Sequence, residues 1–279
     1  MAGWQNIRVG YRLILVTIWT LGMFAFRLTG LVFRPVARRI DMAIRSAAFR
    51  YWAKGILAIA GVRVRASGTP PKPPFFSVSN HLTNLDLIII ASRTGCLFVS
   101  RADIAQWPLI GIIARSMDTI FINRKRRRDT LRVNELIAMA MDRGDGVHVF
   151  AESRIAQDGQ VHPFKPALLE PAIQRAVPVH YAALTYATPP GCPAALDAVV
   201  WRDGVPFARN VLNVLQLPYL NASITFGAEP IAAPDRKALA EALYEAVHEL
   251  FVPLDSDATR APGAPQPALP GSDSGNDSI

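Results

Sequence analysis

The sequence reads as an α/β protein: a mixed, largely parallel sheet flanked by helices, with N-terminal membrane-associated helices. Two observations predict this. Between residues 62 and 252, short β-rich apolar runs alternate with helical stretches, the order produced when helices cover a sheet. Before residue 60 the chain is apolar over long stretches, and the whole sequence is 51% hydrophobic with a mean hydropathy of +0.20. That is rich for a soluble protein and lean for a polytopic membrane protein, so a folded core with some membrane-seeking surface fits it. The 279 residues divide into three zones: 1–60, membrane-associated helices; 61–253, the folded domain; and 254–279, a disordered tail.

In the first zone, Leu13 to Phe26 carries no charge, but Arg12 and Arg27 bracket it. It falls short of the roughly 20 apolar residues of a perpendicular span. Apolar character resumes from Leu28 to Phe33, so a span requires Arg27 inside it. Arg8 and Arg12 precede the run and Arg34, Arg38 and Arg39 follow it, so the positive-inside rule gives no sidedness. A helix lying in the interface, or a re-entrant hairpin, puts both basic flanks on one face. Pro35 separates this segment from a second helix, Val36 to Ala60. A cleaved signal peptide is disfavoured, because no small-residue cleavage site follows.

In the second zone the strands are expected at 75–79, 97–100, 119–123, 147–150, 177–186, 198–202 and 222–226. Helices are expected at 87–93, 107–116, 130–143 and 166–174. The last helix, 236–251, has Asp235 to cap it and Leu239, Leu243, Val247 and Leu250 at helical spacing. The tail is rich in Pro, Gly, Ser and Asp and has little to bury.

A net charge of +8 predicts anionic partners, lipid headgroups or nucleic acid. No nucleic-acid motif or aromatic-basic platform accompanies the charge, which argues against the second. Cys96 and Cys192 have no neighbouring Cys or His at zinc-ligand spacing, so no metal site is expected. Two cysteines do not make a disulfide framework, and a reducing compartment is the plain reading.

The sharpest chemical feature is the segment NHLTNLD, Asn80 to Asp86, between the apolar runs FFSVS and LIIIA. A strand delivers His81 to a loop and a buried element leaves after Asp86. Five positions on one helix differ by about 140°, so the two side chains meet only if His81 is in the loop and Asp86 in the next turn. A carboxylate on one imidazole nitrogen fixes the tautomer and supports the imidazolium. The other nitrogen then takes a proton from a hydroxyl, with no Ser or Cys nucleophile. The plainer reading is a capping Asp beside a hydrogen-bonded His.

Two further segments end buried strands in charge. TIFIN runs into the cations Arg124, Lys125, Arg126, Arg127 and Arg128; Arg124, nearest the strand, is the candidate for gripping a phosphate, and the rest reads as solvated surface. VHVF runs into Glu152, Ser153 and Arg154, then a polar loop, then Pro163, Phe164 and Lys165. Polar groups just past buried strands are where α/β proteins build sites. AVPVHYAAL, Ala176 to Leu184, is mainly architectural.

Together these segments resemble, over about residues 50 to 251, the glycerolipid and lysophospholipid acyltransferase family, which includes the bacterial 1-acyl-glycerol-3-phosphate acyltransferases. NHLTNLD is similar to its His-x4-Asp block, and WPLIGIIARSMDTIFINR to the block ending Phe-Ile-Asp-Arg. VFAESR is similar to Phe-Pro-Glu-Gly-Thr-Arg, and AVPVHYAAL to the Val-Pro-Val block. FGAEPI resembles a common strand near the domain's end. The resemblance implies acyl transfer from acyl-CoA or acyl-carrier protein to the hydroxyl of a lysophospholipid such as 1-acyl-glycerol-3-phosphate, without cofactor or metal. It implies His81 as general base and Asp86 as its orienter. Arg124, Glu152, Ser153, Arg154 and Lys165 are then the substrate-binding set. It also implies a membrane surface with anionic lipids as partner, at the cytoplasmic face of the cell inner membrane.

The departures lie in the second and third blocks. Ala151 replaces its Pro, Ser153 its Gly, and its Arg falls on Ile155 with Arg154 one place early; Asn123 replaces Asp before Arg124, and Met117-Asp118 a usual Gly. An intact catalytic block with an altered acceptor block points to transfer onto a different acceptor: a lyso-ornithine lipid, another lyso-aminolipid or a different lysophospholipid. Two competing readings are a basic peripheral lipid-binding protein with a relict domain, and a hydrolase in which His81 activates water.

Overall fold

The computed structural model describes residues 2–123 and 126–254. Arg124, Lys125 and the expected disordered tail from residue 255 lie outside the described residues. The centre of the fold is a pair of parallel strands, β2 (Phe75–Ser79) and β5 (Gly146–Phe150), buried at every position. Strands covered on both faces read as unbroken apolar runs, which is why both were legible. The polar residues within them satisfy each other. Ser77 Oγ bonds His148 Nδ1 at 2.9 Å and Ser79 Oγ bonds His148 Nε2 at 3.2 Å.

Among the described residues, seven strands form one sheet. In spatial order they are β1 (Val62–Ser67), β7 (Leu220–Phe226), β6 (Val179–Ala187), β2, β5, β3 (Leu97–Arg101) and β4 (Ile120–Ile122). Among these seven strands of the described residues, β6 and β7 pair antiparallel and the other pairs are parallel. Parallel neighbours need crossovers, and helices supply them. α3 (Leu85–Thr94) links β2 to β3, α4 (Ile110–Ser116) β3 to β4, α5 (Arg127–Asp142) β4 to β5, and α6 (Glu170–Gln174) β5 to β6. β6 begins just after Pro178, which has no N–H to give a ladder. The last helix, Arg236–Leu250, is capped as expected: Asp235 Oδ1 accepts from the amides of Lys237 and Ala238 at 2.7 and 3.1 Å.

Three elements differ from expectation. Residues 198–202 are not a strand: a short helix, Ala195–Ala198, ends there, and a loop follows. Val199 and Val200 are buried beneath the core, and a buried loop shows the same apolar run as a strand. β1, whose sequence VRVRAS alternates, was not anticipated. Neither was the helix Phe207–Gln216, which lies between β6 and β7.

The N-terminal helices are α1 (Ala2–Phe33), continuous through both Arg12 and Arg27 and about 48 Å long, and α2 (Arg38–Ala60). Both arginines turn toward the protein. Arg12 donates to the carbonyls of Leu215, Leu217 and Pro218, at and just beyond the C-terminal end of the helix Phe207–Gln216, at 2.7–3.1 Å. Helix C-termini leave such carbonyls unpaired and carry partial negative charge. Arg27, fully buried, donates to Ser116 O at 2.8 Å and to Asp41 Oδ1 at 2.5 Å. From α2, Arg45 pairs with Asp118 at 2.5 Å and with Asp145. Buried charges thus tie residues 1–60 to the turns beneath β4 and β5. The apolar side of α1 faces away: only 11% of its most apolar stretch is buried.

Candidate active site

β2 ends at Ser79, and Asn80 anchors the loop beyond it. Its side chain pairs with Leu184 of β6 like one more rung of the sheet: Nδ2 donates to Leu184 O at 2.9 Å and Oδ1 accepts from Leu184 N at 2.8 Å. His81 comes next, in the loop, and Asp86 sits in the first turn of α3. His81 Nδ1 lies 2.8 Å from Asp86 Oδ2. The same oxygen accepts from the amides of Leu82 at 2.6 Å and Thr83 at 2.8 Å. So Asp86 both caps the loop and holds the histidine, a geometry compatible with the plain and the chemical readings alike. Oδ1 accepts from the Tyr186 hydroxyl at 2.5 Å.

Oδ2 takes the N–H groups of Leu82 and Thr83, so it is an acceptor there, and the His81 nitrogen facing it, Nδ1, carries the hydrogen. The imidazole also stacks on Phe150, the last residue of β5, with centroids 3.8 Å apart and planes at 12°. Two constraints on one ring fix its orientation, with Nε2 as the nitrogen not engaged by Asp86. The His81 side chain is 17% exposed, enough to meet a substrate. Beneath it, His148 is held neutral: burial, then the nearby His81, lowers its pKa to about 3. Ser79 donates to Asn80 O, so its oxygen accepts from His148 Nε2.

Glu152 follows β5 as His81 follows β2, and the two strands are in register at Ser79 and Phe150, which brings both groups to one sheet edge. Its carboxyl is buried. Burial first, then the charge of Asp86, pushes its pKa up to about 9, so it is neutral near pH 7. Oε1 accepts a long bond from the His162 amide at 3.5 Å, while Oε2 has no partner among the described residues. A protonated carboxyl there is a hydrogen-bond donor awaiting an acceptor.

The rest of the expected binding set is more scattered. Ser153, where the resembled block has Gly, adopts φ +67°, the left-handed conformation that glycine takes most easily. Asp118, at the other replaced glycine, likewise has φ +56° and is held by Arg34 and Arg45. Arg154 is exposed. Ile155, where the family has Arg, packs against the core. Lys165 holds the loop through its amide, which donates to Ala151 O at 2.8 Å, and its side chain is exposed. β4 ends at the same sheet edge, but Arg124 beyond it lies outside the described residues. Sequence reasoning missed Asn80, Phe150 and Tyr186. Asn80 adjoins the motif and Phe150 ends a recognised strand; nothing in the sequence ties Tyr186 to Asp86.

Residues 61–184 match the Acyltransferase family profile. The chain is 31% identical over 201 residues to the lyso-ornithine lipid O-acyltransferase of Rhodobacter capsulatus, covering 68% of this chain and 71% of that protein. It is 27% identical over 202 residues to the enzyme of that name from Pseudomonas aeruginosa, covering 71% and 72%. It is 26% identical over 206 residues to the 1-acyl-sn-glycerol-3-phosphate acyltransferase of Neisseria gonorrhoeae, covering 70% and 76%. The crystal structure of the 1-acyl-sn-glycerophosphate acyltransferase of Thermotoga maritima superposes with a TM-score of 0.63 at 18% identity, covering 88% of this chain and 95% of that one, and so shares the fold. With the motif order, the sheet and the matched profile in agreement, the chain belongs to the Acyltransferase family.

Proposed function

We propose that this enzyme moves a fatty acyl group from the thioester of acyl-CoA or acyl-carrier protein to the hydroxyl of a lysolipid, at the cytoplasmic face of the inner membrane. The observation that carries this reading is His81 Nδ1 on Asp86 Oδ2 at 2.8 Å, with the other nitrogen left to a substrate. His81 Nε2 takes the proton of the acceptor hydroxyl as its oxygen attacks the thioester carbonyl. The C–S bond breaks, and the imidazolium returns the proton to the leaving thiolate. Asp86 supports the imidazolium through this cycle. Acyl-CoA and acyl-carrier protein are cytoplasmic, which supports that face.

For the acceptor, the altered third block favours a lyso-aminolipid such as a lyso-ornithine lipid. Ile155 packs on the core and Arg154 points to solvent, so neither supplies an inward cation, and Glu152 is held neutral. The names of the Pseudomonas and Rhodobacter relatives agree with that acceptor. The cation run from Arg124 to Arg128 and the Neisseria relative favour 1-acyl-glycerol-3-phosphate as the second reading. Purified protein given each acceptor with each donor decides between them. Faster turnover of the lyso-ornithine lipid is expected, and a clear preference for the phosphate acceptor overturns that choice. His81→Ala is expected to lose about 10²–10⁴-fold in kcat. Retained transfer would remove His81 from the mechanism, and thiol release without acceptor would mark a hydrolase.

A further inference from the structure

We infer that Tyr186 is a positioning residue of this site, whose phenol holds Asp86 Oδ1 and sets how strongly the carboxylate pulls on the His81 imidazolium. The inference rests on the reading of His81 as general base. Tyr186 lies on β6, separated from Asp86 by 100 positions, and its hydroxyl reaches Oδ1 at 2.5 Å. Both side chains are buried, so water does not substitute for the phenol. The two oxygens of Asp86 divide the work. Oδ2 takes His81 and the two loop amides, which locate the ring; Oδ1 has Tyr186.

Burial, then the charge on Asp86, raises the phenol's pKa well above its ordinary value, so it stays a donor across the working pH range. A donor on Oδ1 takes up part of the carboxylate charge. With it in place, Asp86 orients the ring without holding the imidazolium too tightly to return its proton. Among the described residues, the other titratable groups facing the pair are neutral near pH 7: Glu152 from the loop after β5 and His148 from β5 itself. Tyr186 is therefore the group that adjusts the Asp86 charge in this pocket. Asn80 supports the arrangement by pinning the β2 end to Leu184, two residues before Tyr186 on β6.

The test is the pH profile of kcat/KM for the full-length enzyme with a long-chain acyl-CoA and whichever lysolipid it turns over. In Tyr186→Phe the carboxylate loses a donor and leans on the imidazolium instead. The acid limb moves to higher pH by about one unit, a tenfold change in the proton equilibrium, with KM for the acceptor nearly unchanged. If Tyr186→Phe does not fold, fluorotyrosines placed at 186 decide. They keep the shape and strengthen the donor, so the acid limb moves downward in step with phenol acidity. An acid limb that stays put in Tyr186→Phe, or across the fluorotyrosine series, overturns the inference, as does a loss confined to KM. His81→Ala runs alongside: if that variant keeps its activity, the general-base reading fails; if it is dead while the Tyr186 limb is fixed, only this inference fails.

Discussion

Glu152 shows how one buried carboxyl couples chemistry to stability. Its pKa rises from 4.5 to about 9 because burial disfavours its charge. The folded state therefore binds this proton more tightly than the unfolded chain does. Stability is full below about 4.5 and falls as pH rises from there toward about 9, by at most about 1.4 kcal/mol per unit. Glu152→Gln keeps the shape of the neutral acid and has no proton to lose. Thermal unfolding of both proteins in detergent from pH 5 to 9 checks this: the variant gains on the wild type as pH rises. A constant difference would mean that the folded protein keeps Glu152 charged. Glu152 was legible as polar groups past a strand, and His81 and Asp86 as a spacing. Tyr186 was not, because a contact across 100 positions depends on the strand order β6-β2-β5, which no local pattern encodes.

At the scale of elements, the ion pairs decide how α1 sits. Arg27 and Asp41 are both buried and lie 2.5 Å apart. A buried pair adds little net stability over a well-packed apolar pair, but removing one partner strands a charge at a cost of about 3–5 kcal/mol. Arg27→Met and Asp41→Leu should each destabilise by that order, and the double variant should recover most of the loss. Denaturant unfolding of the singles and the double measures the coupling; additive losses would mean the pair is not a unit. The sequence left Arg27 ambiguous for a physical reason. An arginine inside an apolar helix reads the same whether its face meets a partner or crosses lipid. Its partners, Asp41 on the next helix and Ser116 O, resolve it. The error at 198–202 has a similar root: Val199 and Val200 are apolar because a loop is buried there, and burial without period does not identify a strand.

The whole molecule inverts the usual amphipathic order on α1: arginines bind the domain and hydrophobic side chains face out. Trp4, Ile7, Tyr11, Ile14, Ile18 and Leu21 are all exposed and recur every three or four positions, one stripe along the helix. Val36 and Ile40 on the α1–α2 side, and Leu109, Ile110 and Ile112 around α4, are exposed as well. So much apolar surface needs a cover. Arg12 and Arg27 dock α1 against the domain near both ends, which favours the interfacial reading of the N-terminal segment over an isolated perpendicular span. The ordered blocks were legible from sequence, whereas the direction of this stripe depends on the partners of those two arginines. The variant Ile14→Gln/Ile18→Gln/Leu21→Gln tests the seating. Gln is a good helix former and the sites are exposed, so the unfolding temperature should hold. Each replaced side chain should cost about 1 kcal/mol of apolar contact with lipid, and the three together about 10²-fold in partition onto vesicles containing anionic lipid. Undiminished partition at unchanged stability would show that lipid meets some other face, and the site at His81 would then need a different route to its acceptor.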